Sequence, residues 1–187
     1  AKDMFAVYDT PAQILESKNA KHLDLAKTPH IEFKNVSFKY PSKNPETSAW
    51  VFKDLNFTMN AGEKIGIVGQ NGAGKSTLIK LMMRVYDPTE GSILIDGVDL
   101  RQISLVDWTS TLSVLLQQYS LHEFDVEGAI AMGLPNEPVD AEQAVIAAKL
   151  SGADEFINEY PKGYKQQVSR EFEDGIEPSQ GQLQKLA

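Results

Sequence analysis

Gly69-Gln70-Asn71-Gly72-Ala73-Gly74-Lys75-Ser76-Thr77 is the stretch on which the reading of this chain turns. It matches glycine, four free positions, then Gly-Lys-Ser, and it lies between an apolar run (Ile65, Ile67, Val68) and a helical period (Leu78, Leu81, Met82, Val85). The glycines let the main chain curl so that successive N–H groups from Gly72 to Thr77 converge on phosphate oxygens at the positive end of the following helix. Lys75 adds a point charge for the β- and γ-phosphates, Ser76 offers a hydroxyl to Mg²⁺, and Thr77 an oxygen or N–H toward the α-phosphate. The plain alternative, a glycine turn that happens to carry a lysine, does not ask for a strand before it and a helix after it.

Upstream, Lys64 to Val68 predicts a buried strand, entered through the turn Asn60-Ala61-Gly62-Glu63. Before that, Ile31, Phe33, Phe38 and Tyr40 alternate as a strand, with a bulge or turn at Asn35-Val36, and Val51, Leu55, Phe57 and Met59 resume alternation after a loop over 41–48. Residues 1–30 read as a lead-in helix (Met4, Phe5, Val7, Tyr8) followed by a polar linker closing at Pro29. Downstream, Ser92 to Leu100 is a hairpin turning at Asp96-Gly97, which makes Asp96 a turn residue rather than a metal ligand. Ser104 caps a short helix, Leu112 to Leu116 predicts another buried strand, Asp140 caps a helix running through Ala144, Ala147 and Leu150 to Gly152, and Ser179 caps a last helix.

Eighteen basic against 26 acidic side chains give a net charge of −8, the wrong sign for a nucleic-acid-binding surface. Apolar residues at 42% and charged ones at 24% fit a globular domain and oppose disorder. The absence of cysteine removes disulfides and thiolate metal sites and fits a reducing compartment. No apolar run reaches the length of a membrane span, so no insertion of this segment into a bilayer is expected. With no initiating methionine and no signal peptide, Ala1 reads as a cut inside a longer chain. A guanine-reading Asn-Lys-x-Asp is missing, and the arginines are too scattered for a nucleotide-kinase lid.

The order of elements resembles the nucleotide-binding domain of ATP-binding cassette (ABC) transporters, exporter type. The motifs that carry the resemblance are the phosphate loop, Phe38-Lys39-Tyr40-Pro41 about thirty residues before it, Leu115-Leu116-Gln117-Gln118, Pro178-Ser179-Gln180-Gly181-Gln182, and Asp9-Thr10-Pro11 in the lead-in. It covers residues 1–187 and implies an α/β P-loop NTPase core with an antiparallel β subdomain and an α-helical subdomain. It places a lead-in from a membrane domain at 1–30 and a nucleotide-binding domain at 31–187, with the β part and phosphate loop over about 31–105 and the helical part over about 106–187. By resemblance, Tyr40 stacks on adenine. Gln117, with Gln118 beside it as the alternative, reaches Mg²⁺ and the attacking water. Ser179, Gly181 and Gln182 contact the γ-phosphate held by the opposite subunit. The signature segment departs from the usual Leu-Ser-Gly-Gly-Gln at Pro178 and Gln180, which puts affinity across the dimer in question.

The resemblance therefore implies ATP and Mg²⁺ as cofactors, an ABC-type ATPase, a head-to-tail dimer of nucleotide-binding domains, transmembrane domains in the same protein, and a place at the cytoplasmic face of a membrane. In the family an Asp-Glu strand and a switch histidine follow the signature helix, so the expectation for residues 1–187 is nucleotide binding with poor hydrolysis and marginal stability. Two rival readings remain, a soluble ABC module doing assembly or mechanical work and a regulatory nucleotide binder that does not hydrolyse.

Overall fold

The computed structural model describes residues 11–24, 27–42, 48–115, 125–133, 140–169, 171 and 173–186. The chain divides into two compact units, one up to Leu112 and one from Ser113.

The first unit is built on an antiparallel sheet, β1 (Ile31–Phe38), β2 (Phe52–Met59), β3 (Glu90–Ile95) and β4 (Val98–Asp99), in the order β2-β1-β3-β4. Strand β1 is central because alternate residues are apolar and Phe33, Val36 and Phe38 all enter the core. Phe33 pairs with Phe57 on one side and Ile93 on the other, and the Phe33 and Phe57 rings stack at 4.3 Å between centroids. The bulge expected at Asn35-Val36 is present: the register with β2 shifts between Phe33 and Val36, and Asn35 has φ 49°. Its N–H is taken by Asn56 Oδ1 at 2.8 Å. Asp96 (φ 48°) and Gly97 (φ 80°) form the tight turn between β3 and β4.

Helix α1 (Lys75–Met82) buries Leu78 and Leu81 against this sheet, and α2 (Leu105–Ser110), capped by Ser104, adds Trp108 to the same core. The indole N–H of Trp108 donates to the Met82 carbonyl at 2.7 Å, so the one polar atom of the ring is satisfied inside. Between these helices, Arg84 (φ 54°) is buried and spends its guanidinium on the carbonyls of Leu15, Arg101 and Ile103 and on Asp87.

The second unit is helical. Its elements are α3 (Val126–Ala131), α4 (Ala141–Ser151), α5 (Asp154–Ile157) and α6 (Gln180–Leu186), around Val126, Ala148, Ala153, Phe156, Ile157, Val168 and Leu186. Asp125 caps α3 by accepting from the Gly128 N–H at 2.8 Å, Asp140 caps α4, and Gly152 (φ 71°) ends it in the left-handed region that L side chains avoid.

Two expectations are corrected. Lys64–Val68 belongs to no strand, and Ile65, Ile67 and Val68 are exposed, Val68 at 96%. A segment becomes a strand only by hydrogen bonding to a neighbour, and among the described residues none pairs with it. The same holds for 112–115, where Val114 and Leu115 are exposed, while Leu116 lies outside the described residues. The helix expected from the Asp140 cap to Gly152 is present as α4, and its buried residues are Ala144 and Ala148. The lead-in helix falls on 1–10, outside the described residues; 11–24 contains no helix.

Candidate functional site

The phosphate loop joins the 64–68 segment to α1. Gly72 (φ 83°) and Gly74 (φ 88°) take left-handed backbone conformations, and at Gly74 an added Cβ would meet Val51 Cγ1 at 2.8 Å and Phe52 Cδ1 at 3.1 Å. Glycine is required there by both torsion and space. The first bond of α1 runs from the Leu78 N–H to the Gly74 carbonyl at 2.9 Å, which leaves the amides of Lys75, Ser76 and Thr77 ahead of it. No side chain caps this terminus and no acidic residue stands in its first turn. A terminus of this kind favours an anion.

Lys75 curls back over the loop, its Nζ donating to the carbonyls of Gly69 at 2.7 Å and Gln70 at 2.8 Å. The ammonium is therefore held at the loop by two neutral acceptors, which a phosphate oxygen can replace with a charged one. Asn71, Gly72, Ala73 and Ser76 are exposed, and Thr77 is buried. The Thr77 hydroxyl meets the Tyr40 hydroxyl at 2.9 Å, which ties the end of β1 to the phosphate loop. Tyr40 packs edge-on to Phe38 and Tyr86, with Lys80 Nζ 5.6 Å from its ring centroid.

In the second unit, Ser179 and Gln182 form a reciprocal cap. The Ser179 Oγ accepts from the Gln182 N–H at 3.3 Å, and Gln182 Oε1 accepts from the Ser179 N–H at 2.9 Å. Gly181 is exposed, with nothing within 4 Å of where a Cβ would stand, and Pro178 is buried. Gln117 and Gln118 lie outside the described residues.

A model of the ABC transporter family matches residues 52–187. The chain belongs to the ABC transporter family. Relatives include the mitochondrial iron-sulfur clusters transporter atm1 of Neurospora crassa, 38% identical over 98% of this chain and 24% of the relative. Multidrug resistance protein pgp-1 of Caenorhabditis elegans is 35% identical over 100% of this chain and 14% of the relative. A solved bacterial Atm1-family ABC exporter with ATP bound matches with a TM-score of 0.82 at 30% identity, over 99% of this chain and 31% of that one. The fold is that of the P-loop NTPases of this family, and the solved neighbour is an exporter. This ABC transporter chain spans between 12% and 28% of the length of the curated relatives it matches.

Several side chains around Tyr40 and the phosphate loop were not singled out in the sequence. Lys80 on the Tyr40 ring, Tyr86 packed against it, and the Arg84 anchor all follow the phosphate loop at helical or turn spacing. The only sequence signal for Arg84 was an arginine directly after an amphipathic helix, which reads as an ordinary C-terminal cation.

Proposed function

We propose that residues 69–77 hold the triphosphate of ATP with Mg²⁺, in an exporter whose transport is driven by ATP binding and hydrolysis. The loop amides and Lys75 bind the β- and γ-phosphates, and Ser76 supplies a hydroxyl ligand to Mg²⁺, with Gln117 as a second ligand and a contact to the attacking water. Tyr40 carries the base. The Ser179-Gly181-Gln182 segment closes on the γ-phosphate held by a second nucleotide-binding domain in a head-to-tail dimer, where its hydroxyl and helix-start amides suit an anion. Bound Mg²⁺ supplies charge neutralisation of the phosphoryl group; the chain's own residues position it and exclude alternatives.

In this reading residues 1–30 lead in from transmembrane domains of the same protein, and 31–187 form the nucleotide-binding part at the cytoplasmic face of the membrane. Among the described residues no helix is long and apolar enough to cross a membrane. Hydrolysis is assigned to the full-length protein.

The observation that carries the proposal is the cradle itself: a glycine that tolerates no Cβ, an uncapped helix start, and a lysine folded over it. Calorimetric titration with Mg·ATP, together with ATPase assay, tests it in the full-length protein. Lys75→Ala is expected to weaken ATP about tenfold or more, the scale of a hydrogen bond to a charged group, and to abolish turnover. Equal binding by wild type and Lys75→Ala overturns the assignment. ATP binding with no Lys75-dependent turnover favours the non-hydrolysing reading.

A further inference from the structure

Beside Tyr40 the first unit holds a cleft of about 390 Å³, within the range that ligand pockets span, about 300–1,000 Å³. One wall is the end of β1 with Tyr40, another is Tyr86 and Asp87 after α1, and a third is Gln13 and Ile14 from the segment that precedes β1. Most polar side chains of the lining are already engaged. Ser48 Oγ donates to the Tyr40 carbonyl at 2.8 Å, Thr89 Oγ1 accepts from the Lys39 N–H at 3.2 Å, and Asp87 pairs with Arg84 at 3.3 Å. Lys39 and Ser42 also have partners. Gln13 is exposed to solvent, and no hydrogen bond to the described residues engages its carboxamide.

Gln13 is not held there by its own bonds but by its neighbours. Two residues on, the Leu15 carbonyl accepts from Arg84 Nη2 at 3.2 Å, and Glu16 Oε1 accepts from the Leu105 N–H at 3.1 Å. Arg84 is buried, and the same guanidinium that grips Leu15 also grips Asp87, so one side chain fixes two walls of the cleft. Tyr40 connects the cleft to the phosphate loop through the Thr77 hydroxyl.

We propose that Gln13 reads the base: its carboxamide oxygen accepts a hydrogen bond from the 6-amino group of an adenine seated on Tyr40, and Arg84 is the positioning residue that holds Gln13 over the cleft. This rests on the ATP reading above and adds to it a residue from outside the phosphate loop and the sheet. Aromatic stacking alone tolerates every base, so a selective contact has to come from a polar group at the edge, and Gln13 is a side chain free to make it. A consequence is that the lead-in segment forms part of the nucleotide site, so adenine occupancy and docking of that segment favour one another.

The test is a chemical double-mutant cycle in the full-length protein, with Mg·ATP, the Mg complex of purine riboside triphosphate (ATP without its 6-amino group) and inorganic tripolyphosphate as titrants. In the wild type, loss of the 6-amino group is expected to weaken binding about fivefold or more, the lower end of a good base contact. In Gln13→Ala the two nucleotides are expected to bind equally, at the weaker level, while tripolyphosphate binds as in the wild type. Arg84→Lys, which keeps the charge but not the fork of donors, is expected to shrink the same ratio. A ratio in Gln13→Ala equal to that of the wild type overturns the proposal, and an unchanged ratio in Arg84→Lys removes the positioning role. Tripolyphosphate and ATP both failing to bind the wild type would instead defeat the phosphate-loop reading on which this one stands.

Discussion

At the scale of single residues, torsion and charge decide most of what this site does. Gly74 has to be glycine, because an L side chain there pays a left-handed φ and collides with Val51 and Phe52. Gly74→Ala is expected to lower stability by about 1–3 kcal/mol and to weaken nucleotide binding, measured by thermal unfolding and by calorimetry. Tyr164 behaves differently. Burial, and then its 2.7 Å hydrogen bond to Asp154, push its hydroxyl pKa up from 10.0 to about 12. A folded-state pKa raised above the unfolded one gives stability that is complete below pH 10 and lost as the pH rises toward 12. Denaturation midpoints followed across that alkaline window should therefore fall less steeply in Tyr164→Phe than in the wild type. The opposite case is Asp99: burial alone would raise its pKa, but the Arg101 hydrogen bonds and charge outweigh burial and hold the carboxyl below its ordinary value.

At the scale of elements, local chemistry wrote the boundaries. The Asp96-Gly97 turn, the Asn35 bulge, the Asp140 and Ser104 caps and the Gly152 stop stand where the sequence places them, because each depends on one residue and its immediate neighbours. The Ser179–Gln182 cap is of the same kind. Ser179→Ala is expected to destabilise α6 by about 1 kcal/mol, visible as faster amide exchange in 180–186, and Ser179→Asp should restore the cap. Which face of α4 is buried was not legible at this scale. Ala144 and Ala147 are equally apolar, and only the approach of neighbouring helices selects Ala144 and Ala148.

At the scale of the molecule, two apolar clusters hold two units. Trp108, buried and bonded to Met82, anchors the first, and Trp108→Ala is expected to cost about 3–5 kcal/mol, read as a drop in the unfolding midpoint of the sheet. Ile65, Ile67 and Val68 are an exposed apolar run that is unpaired among the described residues, which invites association with another chain. A sample of residues 1–187 is expected to self-associate, and Val68→Lys to reduce it; light scattering that shows a monomer in both would remove the claim.

The sequence by itself determined the phosphate loop, the strands β1 to β4, the caps and the family motifs, because those rest on contacts between residues near in the chain or on a fixed spacing. Only the tertiary structure decided that 64–68 is not a strand, that Arg84 grips the lead-in segment, and that Gln13 lines the same cleft as Tyr40. Each of those depends on which distant main-chain groups come within hydrogen-bonding reach, and no local periodicity carries that information.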